Sequence, residues 1–341
     1  MAKMIDVAKR AGVSLKTVSR VLNNEPHVQT SVRERVRVAV SDLGYIPSAS
    51  ARSLRSSRTY VIHLISHSTR SNFANTIQFS ALQSCQGAGY RMEVSMLDRA
   101  EATSQKKLQA WFDGLFSSGK PDGVILVPPL SNDEAIGKIL DAAEIPVVRI
   151  GPNEIKDGNS TVLIDDRAAA KEAVDYLIGL GHERIGFIRG KEDQDATHER
   201  YKGYRDALAA ADLEFNQALE KPGLFDFQSG LTSGSELLSL PKAERPTAIF
   251  ACHDDMAAGV LVAAHGLGSV VPDDLSVFGF DDSEIAEKMW PALTTIRQPL
   301  QQYGSVAMDI LTAIAGRKQV IEQETHTLPY LLVPRQSTGP A

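Results

Sequence analysis

Val7 to Asn23 reads VAKRAGVSLKTVSRVLN: eight small or aliphatic hydrophobics among seventeen residues, set between Lys9, Arg10, Lys16, Thr17, Ser19 and Arg20. Two short helices fit this text. The first runs from Met4 to Ala11 and is expected to bury Ile5, Val7, Ala8 and Ala11. Gly12 ends it, because glycine accepts the left-handed conformation of a tight turn. Ser14 is a natural cap for a second helix reaching Leu22. On that helix Val18, Val21 and Leu22 share one side at helical spacing. Lys16, Ser19, Arg20 and Asn23 lie opposite, flanked by Leu15 and Thr17. Two helices joined in this way form a helix-turn-helix, whose second member can enter a major groove. Lys16 and Arg20 suit guanine O6 and N7, and Leu15 suits a thymine methyl.

A third helix follows, with Ser31 and Glu34 as a capping box, Val32, Val36, Ala39, Val40 and Leu43 as its apolar stripe, and Gly44 as its stop. Arg33, Arg35 and Arg37 read as a solvated face. Charge agrees with a nucleic-acid role for this head. Residues 1–58 hold 11 Lys and Arg against 4 Asp and Glu, whereas the remainder holds 25 against 38. A basic head on an acidic body makes DNA the first partner to consider, with a partnerless basic face as the alternative.

The 341-residue chain has room for two or three domains. Its two cysteines, Cys85 and Cys252, form no CxxC pair and no disulfide framework, which fits a reducing compartment. The first residues, MAKMIDVAKR, lack the apolar core of a signal peptide, and no run approaches a membrane span. The expectation is a cytoplasmic protein with no membrane partner.

From Tyr60 onward short apolar runs alternate with helical stretches. YVIHLIS, RMEVSML, DGVILVP and PVVRIG form one set of candidate strands; STVLID, RIGFIRG, TAIFACH and LSVFGFDD form a second. Near-continuous apolar strands separated by helices argue for parallel sheets covered on both faces. Two similar α/β lobes are expected, divided near residues 151–161, with TLPYLLVP as a late strand. GLGSVV at 266–271 lacks the third glycine of a dinucleotide turn and precedes a strand. No phosphate-loop, zinc-protease or nucleophile-elbow motif is present, so no cofactor and no catalysis are expected. His253, Asp254 and Asp255 are adjacent, and neighbouring residues rarely aim at one point, so no metal site is assigned.

IDVAKRAGVSLKTVSRVLNN, followed by LGYIPSASARSLRSSRT, closely resembles the lactose/galactose repressor (LacI/GalR) family of bacterial transcription regulators. The resemblance spans essentially the whole chain. It implies a small all-α helix-turn-helix head (1–47), a hinge helix or linker (48–58), and an α/β periplasmic-binding-protein-like body of two doubly wound lobes. The lobes would comprise 59–160 with 292–322, and 161–291 with 323–341. In the hinge, Ala51 is small enough for close helix approach, Arg52 adds a cation, and Leu54 matches the family's minor-groove wedge. The alternative reading of the hinge is a flexible Ser/Arg linker, and the two are compatible, since such a segment can fold on DNA.

The same resemblance places the effector in the cleft at the carboxyl ends of the strands. RYKGY makes Arg200 a pocket arginine, and FGFDD delivers Asp281; together they can grip vicinal hydroxyls. LFDFQSG puts Phe225 where the family has a stacking aromatic, and SNFANTI brings Asn72 and Phe73 to the first lobe's rim. Core packing is the competing reading for both phenylalanines, and an interlobe salt bridge is that for the charged pair. Two departures stand out. His253 replaces a common asparagine, and Arg149 precedes Gly151, where several sugar-responsive relatives have an aspartate. Arg149 at the cleft would favour an anion; pointing away, it would not. The implied protein is a homodimer on a pseudo-palindromic double-stranded DNA operator, a repressor set by a small molecule of carbohydrate type. The alternative is a ligand-binding module without DNA regulation.

Overall fold

Three helices build the first unit: α1 (Met4–Ala11), α2 (Leu15–Leu22) and α3 (Thr30–Asp42). The computed structural model describes residues 2–22, 25–45, 58–67, 72–152, 159–316 and 324–341. It divides into two compact units, Met1–Tyr60 and Val61–Ala341. Gly12, at φ 65°, closes α1 by donating its N–H to the Ala8 and Lys9 carbonyls, and Asp6 accepts the Lys3 N–H at 2.8 Å at the opposite end. Ser14 caps α2 as expected, accepting the Thr17 N–H at 3.1 Å. Val7, Ala8, Ala11, Val18, Val21, Val36, Ala39 and Tyr45 close a small core.

Two expectations in this unit fail. Ile5 is 46% exposed, because it falls outside the arc that Val7, Ala8 and Ala11 share on α1. The third helix starts at Thr30 with Gln29 at its cap, so Ser31 lies inside the helix and forms no capping box. Asn23, Ala51, Arg52 and Leu54, and nearly all of the expected hinge, lie outside the described residues.

The second unit holds twelve strands and nine helices among the described residues. In chain order these are β1 (Val61–Ser66), α4 (Asn72–Gly87), β2 (Arg91–Met96), α5 (Gln105–Leu115), β3 (Gly123–Leu126), α6 (Glu134–Ala142), β4 (Val147–Ile150) and β5 (Ser160–Leu163). Then come α7 (Asp166–Gly179), β6 (Ile185–Ile188), α8 (Asp195–Ala210), β7 (Glu220–Lys221), α9 (Phe227–Leu238), β8 (Ala248–Ala251), α10 (Asp254–Gly266) and β9 (Ser276–Phe278). The chain closes with α11 (Glu284–Lys288), β10 (Thr295–Arg297), α12 (Leu300–Gly316), β11 (Thr325–Thr327) and β12 (Leu331–Val333).

The strands form two parallel sheets, in the orders β11-β5-β4-β3-β1-β2 and β7-β6-β8-β9, with β10 and β12 as an antiparallel pair. Residues of β1, β3, β4, β6, β8 and β9 are buried throughout, which is why these strands read as unbroken apolar runs. In the second lobe Phe187 lies within 5.5 Å of Phe250, and stacks on Tyr204 at 4.7 Å.

Sheet membership corrects three strand assignments. Ser160–Leu163 does not open the second lobe; it pairs with β4 in the first sheet, Arg149 opposite Thr161. The late strand divides around Pro329, which has no N–H to give a ladder. Thr325–Thr327 pairs with β5 in the first sheet, while Leu331–Val333 pairs with β10. Thr295–Arg297 does not rejoin the first lobe, since bridges from Phe278 to Thr294 and from Asp281 to Arg297 tie it to the second. Only from Leu300 does the chain return, with α12 packed on α4 and on β3, β4 and β5.

In the second lobe α9 and α10 pack backbone to backbone. A Cβ at Gly259 would stand 2.3 Å from the Phe227 carbonyl oxygen, and one at Gly230 would stand 2.1 Å from that of Met256. Gly259→Ala is therefore expected to cost about 1–3 kcal/mol through forced separation of the helices. Gly179→Ala, where a Cβ meets open space, should change stability by less than about 1 kcal/mol. Urea unfolding followed by circular dichroism compares the two.

Candidate nucleic-acid interface and ligand cleft

On α2 the buried side is Val18 and Val21, and the opposite side is available for DNA. Leu15 is 44% exposed, Lys16 and Arg20 are exposed, and Thr17 and Ser19 are half-buried. Arg20 lies 3.6 Å from Glu25 through half-exposed side chains, a pairing weak enough to yield to a base or a phosphate. The Thr17 hydroxyl sits 2.9 Å from that of Ser14, so it is partly committed to the start of the helix. The geometry thus presents Leu15, Lys16 and Arg20 outward, with Ser19 and Thr17 lower on the flanks.

In the second unit a cleft of about 450 Å³ opens between the two sheets' carboxyl ends, lined by residues from both lobes. Its floor is a buried polar cluster. Arg200, on α8, donates from Nε to Asp166 at 2.8 Å and from Nη1 to the Cys252 carbonyl at 2.6 Å. Its guanidinium lies 3.6 Å over the Phe280 ring and 3.9 Å from Asp281. Asp281, at φ 111°, accepts from Gln298 on one oxygen and faces His253 Nε2 at 3.0 Å on the other. The Tyr303 hydroxyl donates to the Gln298 amide oxygen at 3.1 Å, and the Tyr303 ring meets Phe73 edge-on at 5.7 Å. Asp281, Gln298, Tyr303 and Phe73 therefore run in sequence from the second lobe into the first.

Burial alone would raise the pKa of Asp281, but His253, Arg200 and Gln298 outweigh it and hold the carboxyl below its ordinary value. Burial would lower that of His253, and the Asp281 carboxylate, with Asp254 and Asp255, turns the net shift upward. Asp254 is pushed to about 7 by burial and by Asp281, against the donors Thr295 and Ser283. The neighbouring trio His253, Asp254 and Asp255 diverges: His253 Nδ1 accepts the Asp255 N–H when the ring is neutral and faces the Asp255 carboxylate at 3.7 Å when it is charged, while Asp254 accepts from Thr295 and Ser283. Among the described residues no group of three or more acidic, histidine or cysteine side chains is arranged to hold a metal ion.

Asn72, Phe73, Arg200, Phe225, His253 and Asp281 all line the cleft. Phe225, at φ 58°, meets His253 edge-on at 5.9 Å. Arg149 does not line it. Its guanidinium passes under α6, donates to the Ser131 carbonyl, and occupies space that exists because residue 137 is glycine: a Cβ there would stand 2.6 Å from Nη2. Strand alternation sends it to that side, so its charge supports the Leu130–Asn132 turn behind the cleft wall and is not offered to a ligand. Sequence reasoning missed Asp166, Gln298 and Tyr303. Asp166 directly follows the expected strand STVLID, and Gln298 lies within TTIRQP, directly after β10; position at a strand end was the available signal for each.

The raised pKa of His253 sets a pH dependence. A histidine favoured in its charged form stabilises the fold fully below its unfolded value of about 6.5, and this contribution is lost as pH rises through the higher folded value. His253→Gln, which keeps a donor to Asp281, should flatten the decline of thermal stability between neutral and alkaline pH. A midpoint-against-pH curve parallel to that of the unaltered protein would refute the pairing.

Comparison with known proteins agrees with this geometry. The profile of the bacterial regulatory proteins, lacI family, matches residues 3–48, and that of the periplasmic binding protein-like domain matches residues 174–338. The chain is 32% identical over 333 residues to the ribose operon repressor of Escherichia coli K12, covering 97% of this chain and 98% of that one. Among solved structures it is similar to the transcriptional regulator CelR–cellobiose complex, with TM-score 0.73, 31% identity, and 99% and 100% of the two chains covered. It is also similar to the lac repressor dimer bound to operator and the anti-inducer ONPF, with TM-score 0.78, 26% identity, and 99% of each chain covered. A helix-turn-helix head, a two-lobed binding cleft and near full-length identity converge: the chain belongs to the lacI family of bacterial regulatory proteins and is a ligand-responsive, DNA-binding transcription regulator.

Proposed function

We propose that the protein is a cytoplasmic, homodimeric repressor that binds a pseudo-palindromic operator and releases or grips it according to a carbohydrate-class effector in the cleft. The observation that carries this reading is the union, in one chain, of an outward Leu15, Lys16 and Arg20 face with a cleft floored by the Arg200–Asp281 cluster. Two heads related by protein symmetry read two half-sites. Leu15, Lys16, Ser19 and Arg20 face base edges, Thr17 serves the backbone, Asn23 belongs to the same DNA-binding set, and Ala51, Arg52 and Leu54 serve the hinge. In the cleft Arg200 donates to hydroxyls, Asp281 and His253 complete the grip, Phe225 and Phe73 offer apolar faces, and Asn72 adds an amide at the rim. The ribose operon repressor and the cellobiose complex of CelR support the sugar class.

Fluorescence anisotropy with an operator selected from random DNA tests the reading. Specific binding should exceed non-specific binding at least ~10³-fold at physiological salt, and the effector should shift it about 5–150-fold. Absence of sequence preference would leave a ligand-binding module without DNA regulation.

Arg20→Ala should cost about 1–3 kcal/mol in operator binding and relax preference at one base pair; a loss equal on all sequences would make Arg20 a phosphate contact. Leu54→Ala should reduce operator bending, read by fluorescence energy transfer across the site, while leaving effector binding unchanged.

A further inference from the structure

Four helices of the second lobe begin at the cleft: α7, α8, α9 and α10 bring Asp166, Asp195, Asp226 and Asp255 to its lining. A helix N-terminus carries unpaired N–H groups and the positive end of the helix dipole, so it is a natural seat for a ligand's acid or phosphate. In this chain each of the four seats already holds carboxylates of its own. Asp165 accepts the Ala168 N–H at 2.8 Å at the start of α7, and Asp226 accepts that of Ser229 at 2.8 Å at the start of α9. Asp195 occupies the first turn of α8, and Asp254 and Asp255 occupy that of α10.

The cations are committed as well. Arg200 is held among Asp166, Asp281 and the Cys252 carbonyl, and Arg149 lies behind the wall. Among the described lining residues six carboxylates, those of Asp166, Asp193, Asp195, Asp226, Asp255 and Asp281, face two permanent cations, Lys191 and Arg200. All of these belong to the second lobe. The described first-lobe wall, which includes Ser66, Asn72, Ser131 and Asn132, contributes no Asp, Glu, Lys or Arg. An anionic group entering this space meets an excess of like charge on one side and, among the described residues, no lysine or arginine on the other, which opposes binding. A hydroxyl suits it, since it can donate to a carboxylate and accept from Arg200 or an amide.

We propose that the effector is an uncharged polyhydroxylated molecule, and that the cleft discriminates against its acidic and phosphorylated counterparts. This rests on the carbohydrate reading above. Its test is a thermal-shift and calorimetric comparison on the full chain, using matched sets: ribose with ribose 5-phosphate, glucose with gluconate and glucose 6-phosphate, cellobiose with cellobionate. At least one neutral sugar should raise the midpoint by about 5–10 °C at 100 times its Kd. Its charged counterpart should bind at least 100-fold more weakly, by a factor that shrinks as salt is added. An acid or phosphate that binds as tightly as its neutral partner, or alone, overturns the discrimination while leaving the sugar-binding reading intact. Failure of every sugar, neutral and charged, overturns the carbohydrate reading and the present inference with it.

Discussion

A carboxylate that is 5% exposed must be matched on both oxygens, and Asp281 is matched from three separate parts of the chain: His253 at the start of α10, Arg200 on α8, and Gln298 after β10. The matching extends along its turn. Asp282, at φ 55°, pairs with Arg297 and with Arg335 at 2.6 Å, and the Ser283 N–H donates to Asp254 at 2.7 Å. Two consecutive non-glycine residues at positive φ cost about 1–3 kcal/mol each, and charge-assisted bonds from every side offset that cost. The turn that carries Asp281 at the cleft is thereby fastened to the strand pair β10 and β12, through Arg297 on β10 and Arg335 just after β12. Any displacement of Asp281 would reach those strands through atoms already in contact.

The two walls of the cleft divide the work. The second lobe supplies a floor on which Arg200, Asp166, Asp281 and His253 are already paired with one another, so their desolvation has been met within the fold. The first lobe supplies neutral amides, hydroxyls and the Phe73–Tyr303 pair. Closure of a neutral wall over that paired floor leaves none of the floor's ions newly unpaired, the event that makes polar interfaces costly. The energy separating open from closed forms can then be small enough for one bound molecule to decide between them.

Much of this was legible in the sequence where the signal is local. Gly12, Ser14, Val18 and Val21 lie within ten residues, so helical spacing and cap chemistry are enough to place α1 and α2. The body's strands were readable from their unbroken apolar runs, and Arg200, Phe225 and Asp281 from their place in family-like motifs. What failed was long-range. Ser160–Leu163 has the same apolar character whichever sheet it joins, and only its pairing with β4 settles the matter. Arg149 is one position on a strand whose both faces are buried, so no alternation of polar and apolar residues told which way it points. Gly137, twelve residues earlier, makes the space it fills, and nothing in the local text connects the two.

The parallel pairing of β11 with β5 joins Thr325 to Thr161 and leaves β5 without its outer neighbour until the chain has passed residue 324. During synthesis the four strands β7-β6-β8-β9 of the second lobe's sheet emerge and can pair while the first sheet still waits for α12 and for its last strand. Of the two parallel sheets, the one begun first is thus completed last. Its maturation is governed by a loop closure of more than 160 residues, which places the slow, aggregation-exposed interval late in the chain's emergence.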